Sequence, residues 1–180
     1  TIVWMAEFND SKRVVEVTKS LAQYFRLALN QGHEQISLRD EIDHVRQYLF
    51  IQKQRYGDKL QYAIEEDESL ADYKLPKLVL QPLVENAIYH GIKEIDRQGM
   101  IRVTSAVEEG QLILSIYDNG RGFDVNASID ATLLRLGGVG LKNVDQRLRL
   151  QFGDDYHMEI QSEPDKFTQI SLYLPLDSDD

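Results

Sequence analysis

Residues 80–91 read Leu80-Gln81-Pro82-Leu83-Val84-Glu85-Asn86-Ala87-Ile88-Tyr89-His90-Gly91. Leu80, Leu83, Val84, Ala87 and Ile88 recur at helical spacing, and the helix they predict carries polar side chains inside an apolar run. Pro82 has no N–H and would kink a helix running past it, so an irregular turn is expected to end at Gln81 and the helix proper to start at Pro82. Asn86 and His90 are four apart and share one face. An amide oxygen is a hard ligand suited to Mg²⁺, which takes few protein ligands and completes its shell with phosphate and water. The plainer alternative is a buried Asn and His satisfied by neighbouring backbone.

Two further features lie downstream. Asp118-Asn119-Gly120-Arg121-Gly122-Phe123 directly follows an apolar strand expected over Leu112–Tyr117. Alternating glycines let backbone approach a flat ligand, and a carboxylate at the floor of such a pocket can accept a hydrogen bond from an exocyclic amine such as that of adenine. Asp-Asn-Gly is also a very good turn sequence. Gly137-Gly138-Val139-Gly140-Leu141 opens a helix expected over Leu141–Phe152. Glycine-rich helix N-termini attract phosphate, although a flexible linker ahead of a helix would read the same way. Neither the dinucleotide fingerprint nor a P-loop fits it.

Further strands are expected at Leu60–Ile64, Ile101–Val107, Met158–Ser162 and Phe167–Leu174, with Pro175 as a stop. The first sixty residues read as two helices. Val14, Val17, Leu21, Phe25 and Ala28 form one stripe. Leu38, Ile42, Val45, Leu49 and Tyr56 form the other, broken by Gln52, started by Ser37 with Asp40 three residues on, and ended at Gly57. The spacing suits a helical hairpin or coiled-coil seam, and equally an ordinary core-facing pair. The expected division is 1–57, 58–176 and an acidic tail at 177–180.

The 180 residues are 42% hydrophobic and 28% charged, as in a globular protein that buries a sizeable core. There is no cysteine, which excludes disulfides, thiolate metal sites and a cysteine nucleophile. Twenty Lys and Arg against thirty Asp and Glu give a charge of −10, which argues against a nucleic-acid partner. No apolar run approaches the ~20 residues that span a bilayer, so no direct membrane contact is expected. The chain opens Thr1-Ile2-Val3-Trp4 without an initiator Met and reads as a piece of something longer.

Taken together, Asn86, then Asp118-x-Gly-x-Gly, then Gly-x-Gly-Leu resemble the nucleotide-binding domain of the GHKL superfamily of gyrase, Hsp90 chaperones, histidine kinases and MutL. More narrowly, Leu80 to Ile88 with His90-Gly91, and Gly140-Leu141-Lys142-Asn143-Val144 with Arg147-Leu148, resemble the LytS/YesM-type sensor histidine kinases, and the likeness covers the whole chain. It implies a two-layer α/β sandwich of the histidine kinase/gyrase/Hsp90 ATP-binding type, preceded by a helical hairpin from the dimerisation region.

The resemblance also implies roles. Asp118 would bind the adenine amine, and Asn86 would coordinate Mg²⁺ at the phosphates, with His90 a candidate beside it. Gly120 and Gly122 would shape the adenine side. Residues 123–138 would form a lid over ATP, and Gly138, Gly140 and the helix start at Leu141 would meet the phosphates. Lys142 and Arg147 are phosphate partners or solvated helix residues. Thr168 would lie near the adenine, although Phe167 replaces the family's usual glycine. Tyr89 stands where histidine kinases carry a basic residue. Pro82 stands where the hydrolysing ATPases place the glutamate that activates water, so slow hydrolysis is expected.

The implied function is the ATP-binding catalytic region of a two-component sensor kinase, cytoplasmic in a membrane-anchored bacterial sensor and dimeric in the full-length protein. It would pass the γ-phosphate of ATP to a histidine and then to a response regulator receiver domain. The family's phosphoacceptor lies in a Pro-His-Phe-type motif, absent here and expected upstream. His33, His44 and His157 read as ordinary surface histidines. The alternatives are a GHKL-type ATPase and a non-catalytic nucleotide-sensing dimerisation module.

Overall fold

The computed structural model describes residues 1–7, 10–29, 34–125 and 139–176. Two helices, α1 (Ile2–Glu7) and α2 (Ser11–Leu29), lead to a short strand β1 (Gln35–Ser37) and the helix α3 (Leu38–Tyr56). Ser37 caps α3 as its spacing to Asp40 predicts: the Ser37 hydroxyl accepts the Asp40 N–H at 3.1 Å and donates to the Asp40 carboxylate at 2.9 Å. Gly57, at φ 58°, ends the helix.

Then follow β2 (Leu60–Glu65), β3 (Lys74–Pro76), α4 (Leu80–Asn86), β4 (Gly99–Glu108), β5 (Gln111–Asp118), α5 (Val139–Phe152), β6 (His157–Glu163) and β7 (Phe167–Pro175). The larger sheet runs β2-β4-β5-β7-β6, with β2 parallel to β4 and the remaining pairs antiparallel. The parallel pair requires a crossover, and that crossover carries α4. Along β5 every second residue, Leu112, Leu114, Ile116 and Asp118, is buried beneath the helices. The α/β sandwich is therefore the expected one, a mixed sheet with helices packed on one face.

One core unites the parts. Leu38, Ile42, Val45 and Leu49 of α3 lie in the same apolar cluster as Leu83 and Val84 of α4, Leu141, Val144 and Leu148 of α5, and the inner residues of the sheet. Thus α3 is an integral layer of the sandwich, with α2 packed outside it.

Three expectations are corrected, and two features were not foreseen. The helix starts at Leu80 rather than Pro82, because a proline in the first turn gives up an N–H that has no partner within the helix. From Ala87 to Ile92 the helix widens into a π-turn, which the apolar spacing did not reveal. His44 is buried, at 2% exposure, and stacks on Tyr24 with ring centroids 4.4 Å apart, so it is not a surface histidine. On α2 it is Tyr24 that packs against the core, while Phe25 faces outward. The small sheet pairing β1 with β3 was not anticipated; three-residue strands carry too little pattern. His33 and the acidic tail lie outside the described residues.

Candidate functional site

The site forms where α4, its π-turn and the ends of β5 and β7 meet. A cleft of about 560 Å³ is lined by Asn86, His90, Gly91, Asp118, Gly122 and Thr168 among others. Five of the ten expected site residues, Asn86, His90, Asp118, Gly122 and Thr168, thus converge, although they come from three separate stretches of sequence. Their register explains this: Asp118, the last residue of β5, pairs directly with Thr168, the second residue of β7.

Asp118 is 4% exposed, and its Oδ1 accepts the Gly120 N–H at 2.9 Å. Burial pushes its pKa up to about 7, against the opposing pull of the Gly120 N–H and the Arg97 guanidinium. The carboxyl has no side-chain partner hydrogen-bonded to it among the described residues. It is therefore a buried acceptor aimed into a cleft.

Three glycines are required by close approach. A Cβ on Gly91 would overlap the Asp118 carboxyl. One on Gly120 would overlap both the Gly91 backbone and that carboxyl. Gly122 has φ +56° and turns against the Glu163 carbonyl, so both conformation and space demand glycine. The result is a backbone-lined wall fitted to a flat ligand.

Thr168 is buried at 5% exposure, and its hydroxyl lies 3.1 Å from Ser162 Oγ. Ser162 in turn donates to the Phe167 carbonyl and accepts the Phe123 N–H, tying the loop after Gly122 to the β6–β7 hairpin. Phe167 points to the opposite face of the sheet and stacks on Tyr117, so its replacement of a glycine does not fill the cleft.

At the other end of the cleft, Asn86 has a buried Nδ2 without a partner, and His90 is exposed on the same wall. The donor set fits Mg²⁺ in one way only. Among the described residues no cluster of three or more His, Asp or Glu could hold a metal, so the chain offers a neutral amide oxygen and leaves the remaining coordination to phosphate and water.

The glycine-rich helix start is placed differently. Gly140 lies against Pro82, Leu141 is buried in the core and Lys142 is exposed; none of the three lines the cleft. Gly138 and the expected lid from residue 126 onward lie outside the described residues. Arg147 is neither solvated nor turned to the cleft: its guanidinium donates to the Lys77 and Leu78 carbonyls at 2.7 and 2.9 Å.

Several residues escaped the sequence reading. Arg97 donates from Nη2 to the carbonyls of Asn119, Gly120 and Asp165, gathering the glycine loop and the β6–β7 turn. Arg121 pairs with Glu94 at 2.5 Å, and both line the mouth of the cleft. Gly91 was visible in its motif, but its contact with Asp118 was not. Arg97 sits in a polar run that carries no pattern.

Comparison with known proteins agrees with this geometry. Residues 1–60 match the family model for histidine kinase, and residues 71–178 match that for histidine kinase-, DNA gyrase B-, and HSP90-like ATPase. The sensor histidine kinase BtsS of Escherichia coli is 37% identical over 93% of this chain and 28% of its own length. The sensor histidine kinase YesM of Bacillus subtilis is 32% identical over 97% of this chain and 30% of its own. The chain therefore spans less than a third of the length of these relatives. The fold is also that of the Acinetobacter baumannii histidine kinase AdeS, with a TM-score of 0.60 at 14% identity over 99% of this chain and 86% of that one. The chain belongs to the histidine kinase-, DNA gyrase B- and HSP90-like ATPase family, and within it to the sensor histidine kinases of the LytS/YesM type.

Proposed function

We propose that this chain is the ATP-binding catalytic region of a two-component sensor kinase. It moves the γ-phosphoryl group of ATP to a histidine outside residues 1–180, and from there the group passes to a response regulator receiver domain. The observation that carries this reading is the buried Asp118 carboxyl, walled by Gly91, Gly120 and Gly122, at one end of a cleft whose other end holds Asn86.

Asp118 accepts the adenine amine, with the Thr168 hydroxyl beside it. Asn86 would hold Mg²⁺, which when bound would supply charge neutralisation to the transferring phosphoryl group. His90 stands on the phosphate side. The residue one turn before Asn86 is Pro82, which cannot activate water, so the site favours transfer to a protein histidine over hydrolysis.

Residues 1–57 are assigned to the dimerisation and phosphoacceptor region, and 58–176 to the ATP-binding domain. Val15, Phe25 and Leu29 are exposed on α2 at heptad-like spacing, which supports a homodimer through that face. No helix among the described residues is long and apolar enough to cross a membrane. In this reading the chain is the cytoplasmic part of a membrane-anchored bacterial sensor. The parent would be a phosphoprotein.

The test is calorimetric titration with ATP, with and without Mg²⁺, beside Asp118→Asn. Binding should weaken without Mg²⁺ and fall at least tenfold in the variant. Equal or absent binding in all three titrations would defeat the proposal. Phosphoryl transfer to a supplied histidine-bearing helix peptide then separates the kinase from a nucleotide-sensing module.

A further inference from the structure

Outside the cleft lies a carboxylate that the proposed chemistry does not use. Glu41, on α3, is fully buried at 0% exposure, and it forms no ion pair among the described residues. Its partners are backbone groups at the start of α4. Oε2 accepts the Leu78 N–H at 2.9 Å and Oε1 accepts the Leu80 N–H at 2.8 Å, and the N–H groups of Val79 and Gln81 also donate to it. These are the donors that a helix leaves unpaired at its first turn. An acidic side chain there is further favoured by the helix dipole.

The same few residues are held from the other side. Arg147 of α5 donates to the carbonyls of Lys77 and Leu78, and Leu78 adopts a left-handed φ of 59°, rare for a leucine. Burial raises the pKa of Glu41, against the pull of these N–H groups. Residues 77–81 are thus fixed by a carboxyl on their N–H groups and a guanidinium on their carbonyls. The carboxyl comes from the helical hairpin and the guanidinium from the helix that follows the expected lid. The strained Leu78 is what such a two-sided clamp can hold in place. Asn86 is the last residue of the seven-residue helix that begins here, less than two turns away.

We propose that Glu41 is a positioning residue for Asn86. It ties the orientation of α4 to α3, so that a displacement of the helical hairpin reaches the phosphate end of the nucleotide cleft while leaving the Asp118 end in place. The route is physical: the N-terminus of α4 is anchored by one side chain of α3, whereas Asp118 stands on β5 paired to β7 and meets the helix only where the π-turn brings Gly91 against its carboxyl, more than one turn beyond Asn86. This rests on the ATP-binding reading above, and the experiment is arranged so that the two can fail separately.

The test compares the intact chain with Glu41→Gln and Glu41→Asp. Glutamine keeps the shape and one acceptor oxygen but removes the charge; aspartate keeps the charge but withdraws it by one methylene. For each, ATP affinity is measured with and without Mg²⁺, adenosine affinity is measured alone, and the melting temperature is recorded. The expected result in both variants is that the gain in ATP affinity from Mg²⁺ falls at least fivefold while adenosine affinity stays within twofold. A purely scaffolding role would lower the melting temperature and leave the Mg²⁺ gain within twofold of wild type, which would overturn the proposal. Joint loss of adenosine and ATP binding in a folded variant would overturn it too, since coupling would then reach the whole cleft. Should Glu41→Gln fail to fold, Glu41→Asp alone decides by the same ratio. If the unaltered chain binds no ATP, the reading of the cleft fails and this inference falls with it. If it binds ATP normally and only the Mg²⁺ gain is insensitive to Glu41, the inference alone fails.

Discussion

Asp118 and Thr168 are direct cross-strand neighbours, paired across β5 and β7 with both side chains buried on the helix-covered face. The pairing sets an acceptor beside a hydroxyl that is anchored, through Ser162, to the loop that follows Gly122. Thr168→Val keeps the shape and removes the hydroxyl. One net hydrogen bond is worth about 1 kcal/mol, so ATP affinity should drop about fivefold. Titration calorimetry reads it, and an unchanged dissociation constant would remove Thr168 from the site.

The raised pKa of Asp118 makes binding pH-dependent. Only the ionised carboxylate is a pure acceptor, so ATP affinity should rise as pH increases through about 7 and level off above pH 8. Stability should move the other way. Between the ordinary value of 3.8 and about 7 the folded chain holds a proton that the unfolded chain has released, so stability falls as pH rises across that window. Asp118→Asn abolishes both trends and raises stability at pH 8 by up to about 4 kcal/mol. Thermal melts at pH 5 and pH 8 check this; equal slopes for wild type and variant would refute it.

Arg97 counteracts that shift from outside the cleft. Arg97→Ala removes an attraction that lowers the Asp118 pKa, so the midpoint of the ATP-binding pH profile should move upward. It also frees the three carbonyls of the glycine loop and the β6–β7 turn. Carboxyl-carbon NMR titration of Asp118 reports the first effect, and a midpoint that stays in place would exclude it.

Two glycines separate function from conformation. Gly91→Ala forces a Cβ into the Asp118 carboxyl and should reduce ATP affinity more than tenfold. Gly110, in the β4–β5 turn at φ +79°, has open space around it. Gly110→Ala should cost about 1–2 kcal/mol of stability from the left-handed backbone alone and leave ATP affinity unchanged. Equal binding losses in both variants would mean that Gly91 acts only through folding.

His44 gives a further pH signature. Burial lowers its pKa, so below the ordinary value of 6.5 the unfolded chain takes up a proton that the folded chain resists. Stability is lost as pH falls below that value, and His44→Phe, which preserves a ring against Tyr24, should flatten the loss. Melting temperatures between pH 5 and pH 7 test it.

The larger sheet was legible because Leu60, Tyr62 and Ile64 alternate with polar residues, β5 is an apolar run ended by Asp118, and β7 stops at Pro175. Asp118 and Asn86 stood out as polar residues at the ends of apolar elements. Tyr24 and Phe25 could not be told apart, since adjacent aromatics differ by 100° on a helix and the register of packing decides which is inside. His44 and Glu41 escaped for one reason: a polar residue on a helix reads as solvent-facing unless its partner, distant in sequence, is known. The partner of Glu41 is main chain, which leaves no trace in side-chain pattern. The clamp at Arg147 is hidden in the same way, because its acceptors are carbonyls.

The placement of α3 inside the common core bears on where this chain can be cut. A piece beginning at residue 58 would lose Leu38, Ile42, Val45 and Leu49, each no more than 2% exposed, and would bare the apolar faces of α4 and the sheet to water. It would also leave the N–H groups at the head of α4 without Glu41. Any piece for biophysical work accordingly has to begin ahead of β1, so that the strand that pairs with β3 and the Ser37 cap are both retained, and ahead of Tyr24 if the buried face of His44 is to stay covered.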